Sequence, residues 1–194
     1  MKIVFATNNL HKIKEIEQQL DKQVTLLTLK DINFRAELPE TTGTIEGNAI
    51  QKAQFLYNET GLDCFADDSG LEIEVLGKKP GVDSAHYAGA QRSHSDNIAK
   101  VLSEMLHLGN RKAAFKTVFA LCLRGNVHVF KGVINGEITE TIHGIDGFGY
   151  DSIFRPDGFK ETFAEMSFSL KTQISHRAMA LHQLNSWLST NLLK

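Results

Sequence analysis

Residues 2–20 read KIVFATNNLHKIKEIEQQL, and their order carries the fold class. Lys2 to Ala6 is a short β-branched and aromatic run, the composition of a buried strand. Thr7-Asn8-Asn9 interrupts it. From there Leu10, Ile13, Ile16 and Leu20 recur at helical spacing. Strand, polar turn and helix make the opening unit of an α/β chain. Val24 to Leu29 reads as a second strand, and Glu46 to Tyr57 as a helix ended near Gly61. Phe65-Ala66 leads into Asp67-Asp68-Ser69-Gly70, read as a strand end, after which Leu71, Ile73 and Val75 alternate with acids as a half-exposed strand. Gly77 to Gly89 reads as irregular, and Ser95 to Leu108 as a helix capped by Ser95 or Asp96. Ala113 to Leu123 and Val127 to Ile138 are two long strand-like runs joined at Arg124-Gly125-Asn126, a hairpin signal. Gly144 to Gly149 is a glycine-rich loop, and a final helix runs from Ile174 to about Leu192 with Ala178, Leu181, Leu184 and Leu188 on one face. Alternating helices and strands plus one long hairpin predict an α/β fold with a mixed sheet.

The composition bounds what such a chain does. Its 194 residues suit one domain or two small lobes, and 42% hydrophobic with 23% charged residues is ordinary for a globular protein, which excludes disordered tails and low-complexity scaffolds. Two cysteines, Cys64 and Cys122, are too few for a disulfide framework and lack zinc spacing, so they read as buried thiols. No apolar run approaches the ~18 residues of a membrane span. The N-terminus lacks signal-peptide features, and a reducing cytoplasm is the expected compartment. A net charge of −2 argues against a nucleic-acid binder, which carries a basic surplus. Any anionic ligand must then be held by a few placed cations, helped by a metal.

Several segments carry candidate chemistry. Thr7, Asn8, Asn9, Leu10, His11 and Lys12 lie where a strand feeds a helix, a place where backbone N–H groups, the helix dipole and Lys12 suit phosphate. The same segment also reads as an ordinary capped turn. In Asp67-Asp68, adjacent carboxylates repel unless a cation neutralises them, and such oxygens suit Mg²⁺. Strand alternation sends the two to opposite faces, so one faces a site while the other makes structural hydrogen bonds. An acidic capping turn is the alternative. Glu40 is a loop acid, and Lys52, taken alone, a surface lysine on its helix. Gly147-Phe148-Gly149-Tyr150-Asp151 sets two aromatics among glycines, a pattern that stacks on a base or plugs a core. Lys171, Ser175, His176 and Arg177 fall just before and at the start of the final helix, where Arg177 is suited to clamp an oxygen in fork geometry and His176 to donate a hydrogen bond; the same residues also read as a helix N-cap by Ser175 followed by two surface side chains.

The order of these motifs is more specific than any one of them. ATNNLHK, LPE, NAIQKA, ADDSGLEIEVLG, PGVDSAHYAG, FGYDSIF and ISHRAMAL span residues 6–181. In them the chain resembles the bacterial noncanonical purine nucleoside triphosphate pyrophosphatases, the inosine/xanthosine triphosphate pyrophosphatase family. The resemblance implies an elongated mixed sheet with flanking helices, forming one domain of two lobes around a central nucleotide-binding cleft, and a homodimer. It implies Mg²⁺-dependent hydrolysis of ITP, dITP and XTP to monophosphate and pyrophosphate, which keeps these nucleotides out of DNA and RNA. Asp68 becomes the metal ligand and general base, and Glu40 a further metal ligand. Thr7–Lys12 and Lys52 take the triphosphate, and Ser69 touches the nucleotide. Phe148, Gly149, Tyr150 and Asp151 form the base pocket, completed by Lys171, His176 and Arg177, which read the 6-oxo group. Two departures stand out: Ser152 replaces a proline that often follows FGYD, and His86 replaces an arginine in the YSARYAG pattern. Other readings of the same residues are a Maf-like nucleotide pyrophosphatase and a non-catalytic nucleotide-binding module.

Overall fold

A computed structural model describes residues 1–191; Leu192, the expected end of the last helix, lies outside them. The strands are β1 (Lys2–Phe5), β2 (Thr25–Thr28), β3 (Cys64–Ile73), β4 (Lys79–Pro80), β5 (Lys112–Leu123), β6 (Asn126–Ile138) and β7 (Phe154–Pro156). The helices are α1 (Leu10–Glu17), α2 (Ile45–Thr60), α3 (His94–Glu104), α4 (Phe168–Ile174) and α5 (His176–Asn191). The strands form one sheet in the order β2-β1-β3-β5-β6-β7, with β4 on β3. β1 pairs in parallel with both β2 and β3, while β4 and β7 pair antiparallel with β3 and β6. The expected mixed α/β sheet is therefore present.

By contacts the chain divides into two compact units. The first holds Met1–Asp68, Thr117–Gly132 and the chain from Arg177 on; the second holds Ser69–Lys116 and Val133–His176. In the first unit strand alternation builds two apolar layers. Ile3, Phe5, Phe65, Phe119 and Leu121 point to one face, where they meet Ile16 of α1 and Leu181, Leu184 and Leu188 of α5. Phe5 and Phe65 stack there with ring centroids 4.5 Å apart. Val4, Ala6, Cys64, Ala66, Ala120 and Cys122 point to the other face, against Ala49, Ala53 and Leu56 of α2. The two thiols are thus core residues, as expected, and Cys64 Sγ donates to the Ala53 carbonyl at 3.2 Å. The second unit has a single core built on Phe115, Phe154 and Phe163, with Leu71, Ile73 and Val101 around them.

Local signals explain most boundaries. Asn9 caps α1, its side chain accepting from the His11 and Lys12 amides. Thr44 caps α2, which ends at Gly61 with φ +67. Arg124 and Gly125 both have positive φ, +49 and +80, the conformation of a two-residue type I′ hairpin.

Five expectations need correction. α1 stops at Glu17, short of Leu20, and Leu10 is exposed. β3 runs unbroken through Asp67-Asp68-Ser69-Gly70, so the acids lie inside a strand and not at its end. α3 is capped by Ser93 instead of Ser95 or Asp96. Gly77–Gly89 holds β4 and a 3-10 turn, Gly81–His86. The last helix, α5, starts at His176 instead of Ile174, because Ser175 is extended at φ −65, ψ 157 and separates it from α4. Among the described residues no helix is long and apolar enough to cross a membrane.

Gly136 shows how tightly β6 and β7 fit. A Cβ there would lie 2.3 Å from the Arg155 carbonyl and 2.9 Å from Pro156 Cα, both backbone atoms that cannot swing aside. Gly136→Ala is expected to cost about 1–3 kcal/mol through overpacking. Thermal melting checks this, at about 2–4 °C per kcal/mol for a chain of this size.

Candidate functional site

The polar groups of the first unit gather at the end of β1 and the middle of β3. Alternation divides the two acids of β3. Asp67 follows Phe65 onto the face of α1 and α5, and Asp68 follows Ala66 onto the face of α2. Each acid therefore has its own neighbours.

On the first face Asp67 Oδ2 meets Lys12 Nζ at 2.8 Å and Arg177 Nε at 3.7 Å. Arg177 Nη1 also holds Glu15 Oε2 at 2.5 Å. The Asp67, Glu15 and Arg177 side chains are all at most 5% exposed. Burial pushes the Asp67 carboxyl up, but Lys12, Arg177 and Lys52 together outweigh it and hold it below the ordinary carboxylate range. Burial is the larger influence on Lys12, whose ammonium is pulled down despite Asp67.

On the second face Asn48 Nδ2 donates to Asp68 Oδ2 at 3.2 Å, and Lys52 Nζ lies 3.7 Å from Asp68 Oδ1. The same ammonium reaches Glu40 Oε1 at 2.5 Å. Burial pushes Lys52 down, but Asp68, Asp67 and Glu40 more than offset this and hold it firmly protonated. Asp68 has the opposite balance. Burial and the nearby acids Glu40 and Asp67 outweigh the pull of Lys52 and Lys12, so its carboxyl lies above the usual range. The two neighbouring carboxyls are thus pushed in opposite directions.

Asn48 also accepts from the Thr42 amide and hydroxyl at 3.1 and 2.9 Å, linking Asp68 to the loop that follows Glu40. The Thr7–Lys12 segment is a capped turn. Thr7 Oγ1 accepts from the Asn9 amide at 3.2 Å, and Asn9 Oδ1 occupies the His11 and Lys12 amides at 3.0 and 3.2 Å. Those two amides are therefore used by the cap, which is the ordinary capped turn the segment also reads as. Asn8, Leu10 and His11 are exposed.

The second unit gathers the remaining candidates. Gly147 has φ +78, and a Cβ on it would strike Asp151 Oδ2 at 2.2 Å. That oxygen accepts from the Phe148 amide at 2.8 Å and from Lys171 Nζ at 2.7 Å. Lys171 Nζ also lies 4.9 Å from the centre of the Phe148 ring. His176 stacks on Phe115 at 4.8 Å. Tyr150 is buried, and its hydroxyl donates to the Ser84 carbonyl at 2.8 Å. Phe148 and Gly149 are half-buried, as is Ser69 in β3.

A sequence model of the Ham1 family matches residues 3–187. The chain belongs to the Ham1 family. Among Ham1 relatives, the dITP/XTP pyrophosphatase of Flavobacterium johnsoniae is 50% identical over 184 residues, covering 95% of this chain and 96% of that protein. The dITP/XTP pyrophosphatase of Porphyromonas gingivalis is 46% identical over 188 residues, covering 96% and 97%. The Ham1 protein of Staphylococcus aureus superposes with a TM-score of 0.90 at 34% identity, covering 98% of this chain and 99% of that one. The structure therefore has the Ham1 fold.

Sequence reasoning passed over three residues of these clusters. Glu15 hid within an amphipathic helix, although it lies three residues after Lys12 and so shares its face. Asn48 belongs to the NAIQKA motif but was given no role. His94 accepts from the Gly149 amide at 3.4 Å, and no sequence signal pointed to it. Lys52, read alone as a surface lysine, is in fact buried.

Proposed function

We propose that this chain hydrolyses noncanonical purine nucleoside triphosphates, ITP, dITP and XTP, between the α and β phosphorus atoms. A water oxygen bonds to the α phosphorus, the bridging bond to the β phosphate breaks, and nucleoside monophosphate and pyrophosphate leave. The observation that carries this is the division of the acids in β3, which sets Asp68 beside Lys52 and Glu40 while Lys12 and Arg177 meet Asp67 on the other face. A carboxylate poised in this way suits proton removal from water. Lys52 and Lys12 supply positive charge for the pyrophosphate as it departs.

The cofactor in this reading is Mg²⁺. Glu40 and Asp68 both lie beside the Lys52 ammonium, two carboxylates facing one cation. Among the described residues no group of three or more His, Cys, Asp or Glu side chains is placed to hold a metal. Two carboxylates nonetheless fit Mg²⁺, which usually completes its shell with water and substrate phosphate. The bound ion would supply charge neutralisation and Lewis acidity at the phosphates.

The base is assigned to Phe148, Gly149, Tyr150 and Asp151, with Lys171, His176 and Arg177, while Ser69 touches the nucleotide. Glu15 and Asp67 fix the Arg177 guanidinium, which preorganises its planar fork for a 6-oxo group. An amino group at C6 would leave a buried donor unpaired at about 1–3 kcal/mol, roughly tenfold to a hundredfold discrimination against adenine. The proposal includes a homodimer and a cytoplasmic location.

Product analysis tests the reaction. With ITP, dITP or XTP and Mg²⁺, pyrophosphate is expected in step with monophosphate, with ATP far slower and chelation stopping turnover. Orthophosphate with inosine diphosphate would mean cleavage at the γ position and would overturn the reading.

A further inference from the structure

The segment PGVDSAHYAG has no part in the reaction as proposed, yet α3 grips it along one face. Asn97, Lys100 and Glu104 follow at spacings of three and four residues and so share that face. The Asn97 carboxamide is 2% exposed as a residue and is used at both ends. Its Oδ1 accepts from the Ala88 amide at 2.7 Å, and its Nδ2 donates to the Ala85 and Ser84 carbonyls at 3.1 and 3.4 Å. Lys100 Nζ donates to the Tyr87 carbonyl at 2.7 Å and lies 4.2 Å from the centre of the Tyr87 ring. Glu104 takes the Tyr87 hydroxyl. Residues 84–88 are thereby fixed to the helix.

The Ser84 carbonyl is the point where this clasp meets the aromatic loop. It accepts from Asn97 and also from the Tyr150 hydroxyl, at 2.8 Å. Tyr150 sits between Gly149 and Asp151, and Asp151 Oδ2 holds both the Phe148 amide and Lys171. One turn before Asn97, His94 accepts from the Gly149 amide and faces the Phe148 ring at 6.4 Å. The helix therefore supports the 147–151 loop twice, once directly and once through Ser84.

We propose that Asn97 is a positioning residue for base recognition: by fixing the Ser84 carbonyl it anchors Tyr150, and through it holds the Phe148–Asp151 loop in its binding shape. This rests on the reading that the loop takes the base. Asn97 never touches substrate. Its loss should weaken binding of the base and leave the handling of the phosphate chain unchanged.

The test uses ITP as substrate and inorganic tripolyphosphate, which has no base, as a competitive inhibitor. Asn97→Asp keeps the acceptor for Ala88 but turns an oxygen toward two carbonyls. Tyr150→Phe removes one hydroxyl and decides the matter if the first variant does not fold. In each, KM for ITP is expected to rise about tenfold, the scale of one lost hydrogen bond to a buried group. The inhibition constant of tripolyphosphate should stay at the parent value. In the double variant the two effects should fall short of adding, since they share one link. An unchanged KM in both single variants overturns the proposal, and so does a tripolyphosphate constant that rises with it. Phe148→Ala separates the two levels. If it leaves KM for ITP untouched, the base-loop reading fails; if it raises KM while Asn97→Asp and Tyr150→Phe do not, only the role of Asn97 fails.

Discussion

Asp68→Asn is expected to lower kcat for ITP by about 10²–10⁴-fold, the usual contribution of a positioned general base. The exchange keeps the side chain's shape but removes its ability to take a proton. Asn48, which donates to Asp68 Oδ2, would then face either an amide oxygen, which it can still serve, or an amide nitrogen, which it cannot. Lys52 would keep Glu40 as its partner. The fold is therefore expected to survive, with circular dichroism like the parent's. Steady-state pyrophosphate release at saturating ITP and Mg²⁺ measures the effect. A variant that turns over at near-parental rates would remove Asp68 from the chemistry and leave Asp67 or Glu40 to be tested next.

The second large effect concerns stability. Glu15→Ala deletes the carboxylate that pairs with Arg177 in a nearly solvent-free setting, both side chains being at most 5% exposed. Arg177 keeps Asp67 at 3.7 Å, in competition with Lys12 at 2.8 Å. Breaking a buried pair from one side costs about 3–5 kcal/mol, because the remaining charge is left poorly compensated. At about 2–4 °C per kcal/mol, the melting temperature should fall by roughly 10 °C. Calorimetry at neutral pH measures it. A shift within about 2 °C would mean that water reaches the guanidinium and that the pair contributes little, as exposed pairs do.

Much of the framework was legible in the chain. The β-branched and aromatic run Ile3-Val4-Phe5-Ala6 and the hairpin around Arg124-Gly125 report local geometry, and local geometry is what short-range composition records. The run 67–70 misled because two acids and a glycine are turn formers by propensity. In the structure the cations facing each acid compensate the burial, and the strand continues. The break before α5 carries neither proline nor glycine, and Ser175, a residue type that favours helix N-caps, is its one mark in the sequence.

The polar clusters were legible only as ingredients. Whether Lys52 is a surface or a buried lysine depends on Glu40, twelve residues away, and Asp68, sixteen away, and no spacing rule encodes that meeting. Glu15 and Arg177 are separated by most of the chain. For the same reason Asn97 is an unremarkable helix residue until the carbonyls of residues 84 and 85 are seen against it.

The side-to-side placement of neighbouring acids in β3 has a consequence for how this protein tolerates change in length. Deleting Ala66, with the strand held in register up to Phe65, would turn over the residues that follow. It would deliver the aspartate that now serves α1 and α5 to the side of α2, and send its neighbour Asp68 to the face where Phe5 and Phe65 stack. A one-residue shift there exchanges the neighbours of the two acids in one stroke.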